Sequence, residues 1–192
     1  MSLRSLILTS MAALAVSASA NASTFGLESS IGATPTFSIT SGGVTATYTS
    51  PAGNGFAVQD TTGLLTFNTA LLDSNFFGTD PLTISFSTPI SGTILIPFAV
   101  LDSYSRTDSL TVTANTGQTT GFLASPDGLA LGEPEAIARL SLTAPITSVT
   151  LSGTNAFAIG DVSTVAATPE PTSIVLLATG LVGIVLRRRR AQ

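Results

Sequence analysis

The sequence predicts an all-β domain, a two-sheet antiparallel β-sandwich of eight or nine strands with a jelly-roll order preferred. Two observations predict it: apolar residues recur at every second position in short runs, and turn signals separate these runs. The middle of the chain shows no periodicity of an amphipathic helix. A closed barrel remains the alternative, because alternation does not fix the order of strands.

Individual strands follow from this alternation. Phe37 and Ile39, then Val44 to Tyr48, flank Ser41-Gly42-Gly43, which predicts a hairpin with glycines at its turn. Further short strands are predicted around Leu82 to Phe86, Leu110 to Ala114, Leu140 to Leu142, Val149 to Leu151 and Phe157 to Ile159. Each of these runs places one face in a core and the other in water.

Residues 94–101 (ILIPFAVL) are nearly all apolar. Such a run predicts a strand that is covered on both faces. Pro97 lacks a backbone donor, so a bulge or an edge position is expected there.

The charge of the middle segment restricts its partners. Residues 23–168 contain ten acidic residues and two basic ones, Arg106 and Arg139, for a net charge of −8. An acidic surface repels phosphate backbones, so nucleic-acid binding is disfavoured. The 146 residues of this segment fit one domain.

Absent residue types restrict the chemistry. The chain has no Cys, His, Trp or Lys, which excludes a Ser-His-Asp triad, a cysteine nucleophile, a Schiff base and ordinary zinc, copper or haem sites. In residues 23–168, carboxylates, hydroxyls and two arginines remain, which would suffice for a glycosidase pair. Because most catalytic and ligand-binding residue types are absent, we expect no enzyme activity and no cofactor.

The N-terminus has the features of a secretory signal peptide. Arg4 supplies a positive charge, and residues 5–16 form an apolar stretch too short to span a membrane. Two small-x-small patterns that signal peptidase accepts follow at Ala18, Ala20 and Ala22. Removal of residues 1–22 is expected, with the mature chain beginning at Asn21 or Ser23.

The C-terminus combines an apolar segment with an arginine cluster. Residues 173–186 carry no charge and precede Arg187, Arg188, Arg189 and Arg190. As a helix the segment would be about 21 Å long, against a hydrocarbon core of about 30 Å, which predicts a short transmembrane helix. The arginines are attracted to the anionic cytoplasmic leaflet, so residues 23–168 are expected to face the periplasm or the exterior.

Pro169, Glu170 and Pro171 stand directly before this segment. The prolines disfavour helical conformations, so the stretch should be extended and accessible. The order of Pro-Glu-Pro, brief apolar span and arginine cluster resembles the PEP-CTERM sorting signal of bacterial envelope proteins. The resemblance implies that an exosortase, a membrane protease or transpeptidase, acts at or near the motif, although a permanent anchor that no enzyme cuts is an alternative.

The same resemblance implies a host and a destination. Such proteins belong to Gram-negative bacteria that make exopolysaccharide and often live in biofilms, so the outer envelope, cell surface or extracellular matrix is expected. Residues 82–122 and 146–165 are similar to the β-sandwich domain that often precedes this tail. Relatives frequently carry an acidic pair before the last strand, where this chain has Gly160-Asp161, so only Asp161 carries over and a calcium site built on such a pair would lack one acid.

A calcium-loop spacing occurs at Asp73, Asn75, Gly78 and Asp80. An EF-hand would require an oxygen ligand at Phe77 and a bidentate acid at Ile84, so an ordinary polar loop is the favoured interpretation. No metal site is therefore predicted.

Two further clusters are candidates for binding or catalysis. A sugar-binding patch in a loop is one hypothesis, at Asp102, Tyr104, Arg106 and Asp108, with Asp127-Gly128 as a second loop. A solvated hairpin is the alternative. Glu133 and Glu135 have the types and spacing for a glycoside hydrolase, but a proline-bearing loop that enters the next strand fits better.

The functional hypotheses are a non-enzymatic matrix or adhesion protein, a carbohydrate-binding module for exopolysaccharide, and a carboxylate-only hydrolase. The expected partners are signal peptidase, an exosortase and the membrane.

Overall fold

Every pairing between strands in the described residues is antiparallel. The computed structural model describes residues 22–33, 36–50, 56–73, 80–101, 108–126 and 134–165. In these ranges the strands are β1 (Ser23–Phe25), β2 (Thr36–Ser41), β3 (Val44–Thr49), β4 (Phe56–Asp60), β5 (Thr69–Asp73), β6 (Leu82–Ile90), β7 (Thr93–Val100), β8 (Asp108–Ala114), β9 (Thr119–Pro126), β10 (Pro134–Ser141), β11 (Ile146–Gly153), β12 (Phe157–Ile159) and β13 (Val162–Val165). A 3-10 turn at Glu28–Ser30 is their one helical element. The predicted all-β class is confirmed.

The strands form one curled sheet. Its order is β2-β3-β6-β11-β8-β9-β10-β7-β12-β5-β4, and β13 pairs with both β7 and β1. Strand β9 pairs with β8 along most of its length and with β10 only through Ser125 and Pro126. The first arm consists of β2, β3, β6, β11, β8 and β9. The second arm consists of β10, β7, β12, β5 and β4, together with β13 and β1.

The described residues alone form thirteen strands, more than the predicted eight or nine. The additional ones are β1, β4, β5, β9 and β13. Strands of three or four residues such as β1 and β13 are too short to show alternation, and β5 (TALLD) and β9 (TTGFLASP) do not alternate cleanly. Their place in the sheet depends on distant partners rather than on local pattern.

One large cluster of buried hydrophobic residues contains side chains from both arms. Ile84 and Val112 come from the first arm, and Ile96, Phe98 and Phe157 come from the second arm. All five side chains are completely buried. The alternation predicted for β6 and β8 is confirmed, because Leu82, Ile84, Phe86, Leu110, Val112 and Ala114 are all buried.

The outer face of the first arm is a surface of hydroxyls. One cross-strand row consists of six threonines, Thr36, Thr49, Thr83, Thr150, Thr113 and Thr119. Thr83 and Thr150 are hydrogen-bonded through their hydroxyls at 3.2 Å, as are Thr113 and Thr119. The neutral, hydroxyl-bearing residues that alternate with the core residues therefore form the solvent side of this arm.

The glycine turn between β2 and β3 is confirmed. Gly42 and Gly43 have φ values of 57° and 79°, a left-handed conformation that residues with a Cβ rarely adopt. Two such residues between paired antiparallel strands make the turn whose twist matches that of the hairpin.

Pro97 lies in the interior of the sheet rather than at an edge, and the irregularity expected there is present on one side, because three residues (160–162) lie opposite two (96–97) between the pairs Ile159–Phe98 and Ser163–Leu95. It pairs in register with Ile137 of β10 on one side. On the other side, β13 pairs with β7 up to Leu95 and β12 pairs from Phe98 onward, and Gly160 between them donates its N–H to the Pro97 carbonyl at 2.9 Å. The proline is tolerated because its missing donor falls in the gap between two partner strands.

Tyr48 is the largest fully buried side chain of the core. Its ring stacks on Phe37 with centroids 4.8 Å apart. Its hydroxyl is buried and has no hydrogen-bond partner among the described residues. Burial raises the pKa of Tyr48 well above its ordinary value, and the charge of Asp161 raises it further.

Replacement of Tyr48 by Phe is expected to stabilise the protein by about 1–3 kcal/mol, because an unsatisfied buried hydroxyl is removed. The folded protein favours the neutral phenol, whereas the unfolded chain ionises Tyr48 at a pH of about 10. The free energy of unfolding of the wild type is therefore unaffected by this group below that pH and falls as the pH rises above it. Urea unfolding at pH 7 and pH 11 measures both effects. A Tyr48→Phe variant that is less stable than the wild type at pH 7 would contradict this account of the hydroxyl.

The described residues include no helix that is both long and apolar enough to cross a bilayer. The predicted signal peptide, except for the exposed Ala22, and the predicted segment 173–186 lie outside these residues.

Candidate binding cleft

The connection between β4 and β5 folds over the outer face of the second arm. Residues 61–68, the cover loop, are closed by hydrogen bonds from the Thr61 N–H to the Asn68 carbonyl at 2.8 Å and from the Thr61 hydroxyl to the Phe67 carbonyl at 2.6 Å. Below the loop lies a small second apolar cluster, which consists of Leu65, Ala70, Ala99, Leu101, Ala156 and Ala158. The predicted coverage on both faces is therefore found for residues 98–101, whereas Leu95 and Pro97 are only half-buried.

Glu135 fixes the cover loop to β10. Its carboxylate accepts the Thr66 N–H, at 3.0 Å to Oε2 and 3.2 Å to Oε1, and also accepts the Thr66 hydroxyl. Glu135 pairs with Ala99 of β7 and Ser125 of β9, at the junction of the two arms. These contacts favour a structural role over a catalytic one; Glu133, the other acid of the predicted pair, lies outside the described residues.

Two adjoining hollows open beside the cover loop, and Thr66, Phe67 and Pro97 line both. The first hollow, about 380 Å³, is completed by Glu135, Ala136 and Ile137. The second hollow, about 270 Å³, is completed by Glu28, Asn68, Thr69 and Asp161. We call the two hollows together the cleft.

The apolar wall of the cleft is formed by Phe67, Pro97 and Ile137. Ile137 is 63% exposed, which is unusual for a large apolar residue in the interior of a sheet. Phe67 packs against Gly160, where an added Cβ would lie 3.0 Å from Cγ of the phenyl ring. Gly160 thus makes room for the phenyl ring.

Replacing Gly160 with Val is expected to displace Phe67 and to lower the free energy of unfolding by about 1–3 kcal/mol, because the site has no space for a branched side chain. Gly121→Val is the matched control, since a Cβ at Gly121 meets nothing within 4 Å. Urea unfolding of both variants checks the expectation. Equal stabilities of the two variants would show that Phe67 is not held against Gly160.

The second hollow carries the polar groups. Asp161 accepts the Leu27 N–H through Oδ1 at 2.8 Å, which connects the start of β13 to the residues after β1. Glu28 and Asn68 are exposed. Thr69 also lines this hollow and is only 7% exposed. The hollow therefore offers carboxylate, amide and hydroxyl groups to a ligand with several polar hydrogens.

Electrostatically the cleft is acidic. Three carboxylates, Glu28, Glu135 and Asp161, line it, and none of the described residues that line it is basic. Arg139, on the same strand as Glu135, is not among the lining residues. In the described ranges, no group of three acids is close enough to hold a metal ion.

Asp108, from the predicted sugar patch, has a structural role. Its Oδ1 accepts the Ser109 N–H at 2.7 Å and the Thr154 hydroxyl at 2.6 Å, and its Oδ2 accepts the Asn155 side-chain amide at 2.6 Å. The carboxylate thus connects the start of β8 to the turn after β11. The two predicted sugar-binding loops have five other members, and all five lie outside the described residues. They are Asp102, Tyr104, Arg106, Asp127 and Gly128.

The remaining sequence candidates fall at the edges of the described segments. Asp73 ends β5, and Asp80 has a buried Oδ2 to which no residue of the described ranges is hydrogen-bonded. Outside the described residues lie Asn75 and Gly78, together with Ala18, Ala20, Pro169, Glu170, Pro171 and Arg187 to Arg190.

Sequence reasoning did not identify the cleft. Phe67 and Thr69 lie in a segment without alternation, and Glu28 lies in a short 3-10 turn. The only local signal was the turn motif around Gly63, whose φ is 77°.

Comparison with known proteins identifies the tail. Residues 167–190 match the family model of the PEP-CTERM protein-sorting motif. No curated protein matches the chain significantly.

Several solved structures resemble this chain with TM-scores below 0.5. The K2 cleaved adhesin domain of Lys-gingipain has a TM-score of 0.47 at 15% identity, over 76% of this chain and 98% of that one. A mutant of the family 29 carbohydrate-binding module CBM29-2 has a TM-score of 0.35 at 8% identity, over 79% and 99%. The CBM22-1 xylan-binding domain of Xyn10C from Paenibacillus barcinonensis has a TM-score of 0.31 at 13% identity, over 76% and 94%.

Proposed function

We propose that this chain, which carries a PEP-CTERM protein-sorting motif at residues 167–190, is a non-enzymatic protein of the cell surface or extracellular matrix. The motif implies exosortase-dependent export and membrane-anchored sorting in a Gram-negative bacterium. The match to this motif is the observation that carries the proposal. Residues 1–22 are the proposed signal peptide, 23–165 a β-sandwich whose layers are the two arms, and 166–192 the sorting tail.

The proposed sequence of events uses three partners. Signal peptidase removes the N-terminal segment, residues 173–186 hold the chain in the inner membrane as a helix, and an exosortase cuts near Pro169-Glu170-Pro171. The released domain then moves to the outer envelope or to an exopolysaccharide matrix. Its net charge of −8 over residues 23–168 keeps it soluble there.

A non-enzymatic role is supported by the state of the candidate acids. Glu135 binds Thr66, and Asp108 binds Thr154 and Asn155, so both carboxylates already stabilise loops. With no His, Cys or Lys in the chain, few groups remain for acid-base or nucleophilic chemistry.

Fractionation of the host tests the export proposal. In the wild type, the protein should be found in the outer envelope or the medium without its tail. In a strain that lacks the exosortase, the protein should remain in the inner membrane at its full C-terminal length. Identical fractions and masses in the two strains would exclude exosortase sorting.

Carbohydrate recognition is the second candidate function, and the cleft is the observation that favours it. An apolar wall next to carboxylate, amide and hydroxyl groups suits a ligand with one apolar face and many hydroxyls. The first hollow, about 380 Å³, is within the usual range for small-ligand sites. A glycan array on the mature protein tests this function, and the absence of any retained sugar at millimolar concentration would exclude it.

A further inference from the structure

We infer that signal peptidase cuts the chain between Ala20 and Asn21, so that the mature protein begins at Asn21 rather than at Ser23. This inference rests on the export proposed above and specifies its first processing site. By residue type both bonds are acceptable, because small-x-small patterns end at Ala20 and at Ala22. The folded domain distinguishes them, since each cut creates a positively charged amino group in different surroundings.

Ser23 is the first residue of β1 and is buried. It is 5% exposed and pairs in register with Thr164 of β13. Ala22, directly before it, is exposed. The chain therefore enters the folded domain between Ala22 and Ser23, and a cut at this bond would create the new terminus at a buried position.

The backbone nitrogen of Ser23 makes a buried, neutral contact. It donates to the Thr164 hydroxyl at 3.1 Å, and this hydroxyl donates in turn to the Ser23 carbonyl at 3.4 Å. Thr164 is itself only 4% exposed. A hydroxyl accepts an amide hydrogen well but carries no charge that could balance an ammonium group. The site therefore suits the N–H of a peptide bond.

The side chain of Ser23 is enclosed as well. An added Cβ at Gly42, in the turn between β2 and β3, would collide with Ser23 Oγ. This oxygen is buried and has no hydrogen-bond partner among the described residues. The turn thus packs directly on Ser23 and leaves the residue little room to move its backbone nitrogen toward water.

The elements next to β1 offer no balancing charge. They are β13, β2 and the Gly42–Gly43 turn, and none of them carries a titratable side chain. Asp161, the residue before β13, lies at the opposite end of the β1–β13 ladder, where it accepts the Leu27 N–H. A cut after Ala22 would thus bury a cation with no acid beside it in the described part of the chain.

An ammonium group at residue 23 would be costly in the folded state. It has three donors, of which the Thr164 hydroxyl accepts one. Burial of an unpaired charge is strongly unfavourable, so the fold is expected to lower the pKa of this amine below the range of about 7.7–8.0 that is usual for an α-amino group. The unfolded chain would then bind more protons than the folded one, and stability would be lost as the pH falls below about 8.

A cut after Ala20 preserves these contacts. Ser23 keeps its peptide bond, and the charged amine lies two residues before it in the chain. The compact unit that contains β1 to β13 extends from Asn21 to Ala166. Of the two acceptable bonds, only the one after Ala20 removes nothing from this unit.

N-terminal sequencing of the protein recovered from the envelope of its host tests the processing site directly. Asn21 should be the first residue of most recovered chains. A majority of chains that begin at Ser23 would overturn the inference and leave the export proposal standing. Recovered chains that still begin at Met1 would contradict both.

Two variants separate the bonds. Ala18→Phe disrupts only the pattern that ends at Ala20, and Ala22→Phe disrupts only the pattern that ends at Ala22. The Ala22→Phe protein should be processed like the wild type. The Ala18→Phe protein should keep its N-terminal segment or begin at Ser23. If Ala22→Phe blocks processing and Ala18→Phe does not change the N-terminus, the cut lies after Ala22 and the inference fails.

Urea unfolding of exported chains that begin at Ser23 tests the physical reason. At pH 6 their ratio of folded to unfolded protein should be at least about tenfold lower than that of the wild type, as expected for one unit of pKa. The difference should shrink at pH 9.5, where the amine is neutral in both states. Equal stability at pH 6, or the same difference at both pH values, would contradict burial of the charge.

Discussion

Replacement of Arg187 to Arg190 by serine is expected to abolish sorting, so that the tail is no longer cut and the protein fails to reach the outer envelope. The four arginines are each attracted to the anionic inner leaflet by about 1 kcal/mol, and they resist passage through lipid. They follow residues 173–186 directly, a segment that is short for a membrane span. Without the arginines, the segment loses the group that holds its end in the cytoplasm.

The processed fraction should fall at least about tenfold in the serine variant, which corresponds to about 1.4 kcal/mol or more of lost positioning. Western blots of membrane fractions, with a tag inside the exported domain, measure it. Replacement of the same residues by lysine is the matched control for charge. If lysine restores sorting, the charge alone holds the tail; if the serine variant is processed normally, the arginine cluster has no part in sorting.

Replacement of Phe157 by Ala is expected to lower the free energy of unfolding by about 3–5 kcal/mol, the largest effect of any substitution considered in the domain. Phe157 is completely buried, and its ring lies 5.4 Å from that of Phe56. Strand β12, which it begins, pairs with β7 on one side and β5 on the other. The cavity would therefore open where the outer strands of the second arm join the sheet.

Urea unfolding of the mature protein measures this loss. Ile137→Ala is the control, because a side chain that is 63% exposed has little burial to lose, and a change within about 0.5 kcal/mol is expected. A Phe157→Ala variant as stable as the Ile137→Ala variant would contradict the assignment of Phe157 to the core.

Local pattern predicted the parts of the fold that depend on neighbours in sequence. In β6, Leu82, Ile84 and Phe86 face the core because side chains of a strand alternate with a period of two. The hairpin at Gly42 and Gly43 was predictable because only glycine adopts such a turn readily. The tail was predictable because its order of motif, apolar span and arginines is a linear pattern.

Long-range contacts were not predictable from the sequence. Asp161 and Leu27 meet across 134 positions, and Glu135 and Thr66 across 69. Asp108 has the residue type of a sugar ligand, yet it binds a turn 46 positions away. The interior position of Pro97 also depends on where two other strands end. In each case the deciding partner comes from a distant strand, which alternation does not identify.

Intact mass spectrometry of the protein recovered from the envelope of its host is the most direct test of the proposed sorting. The account predicts a chain that begins at Asn21 or Ser23 and ends at or near Pro169-Glu170-Pro171, with any attached group visible as added mass. A chain that still ends at Gln192 would contradict it.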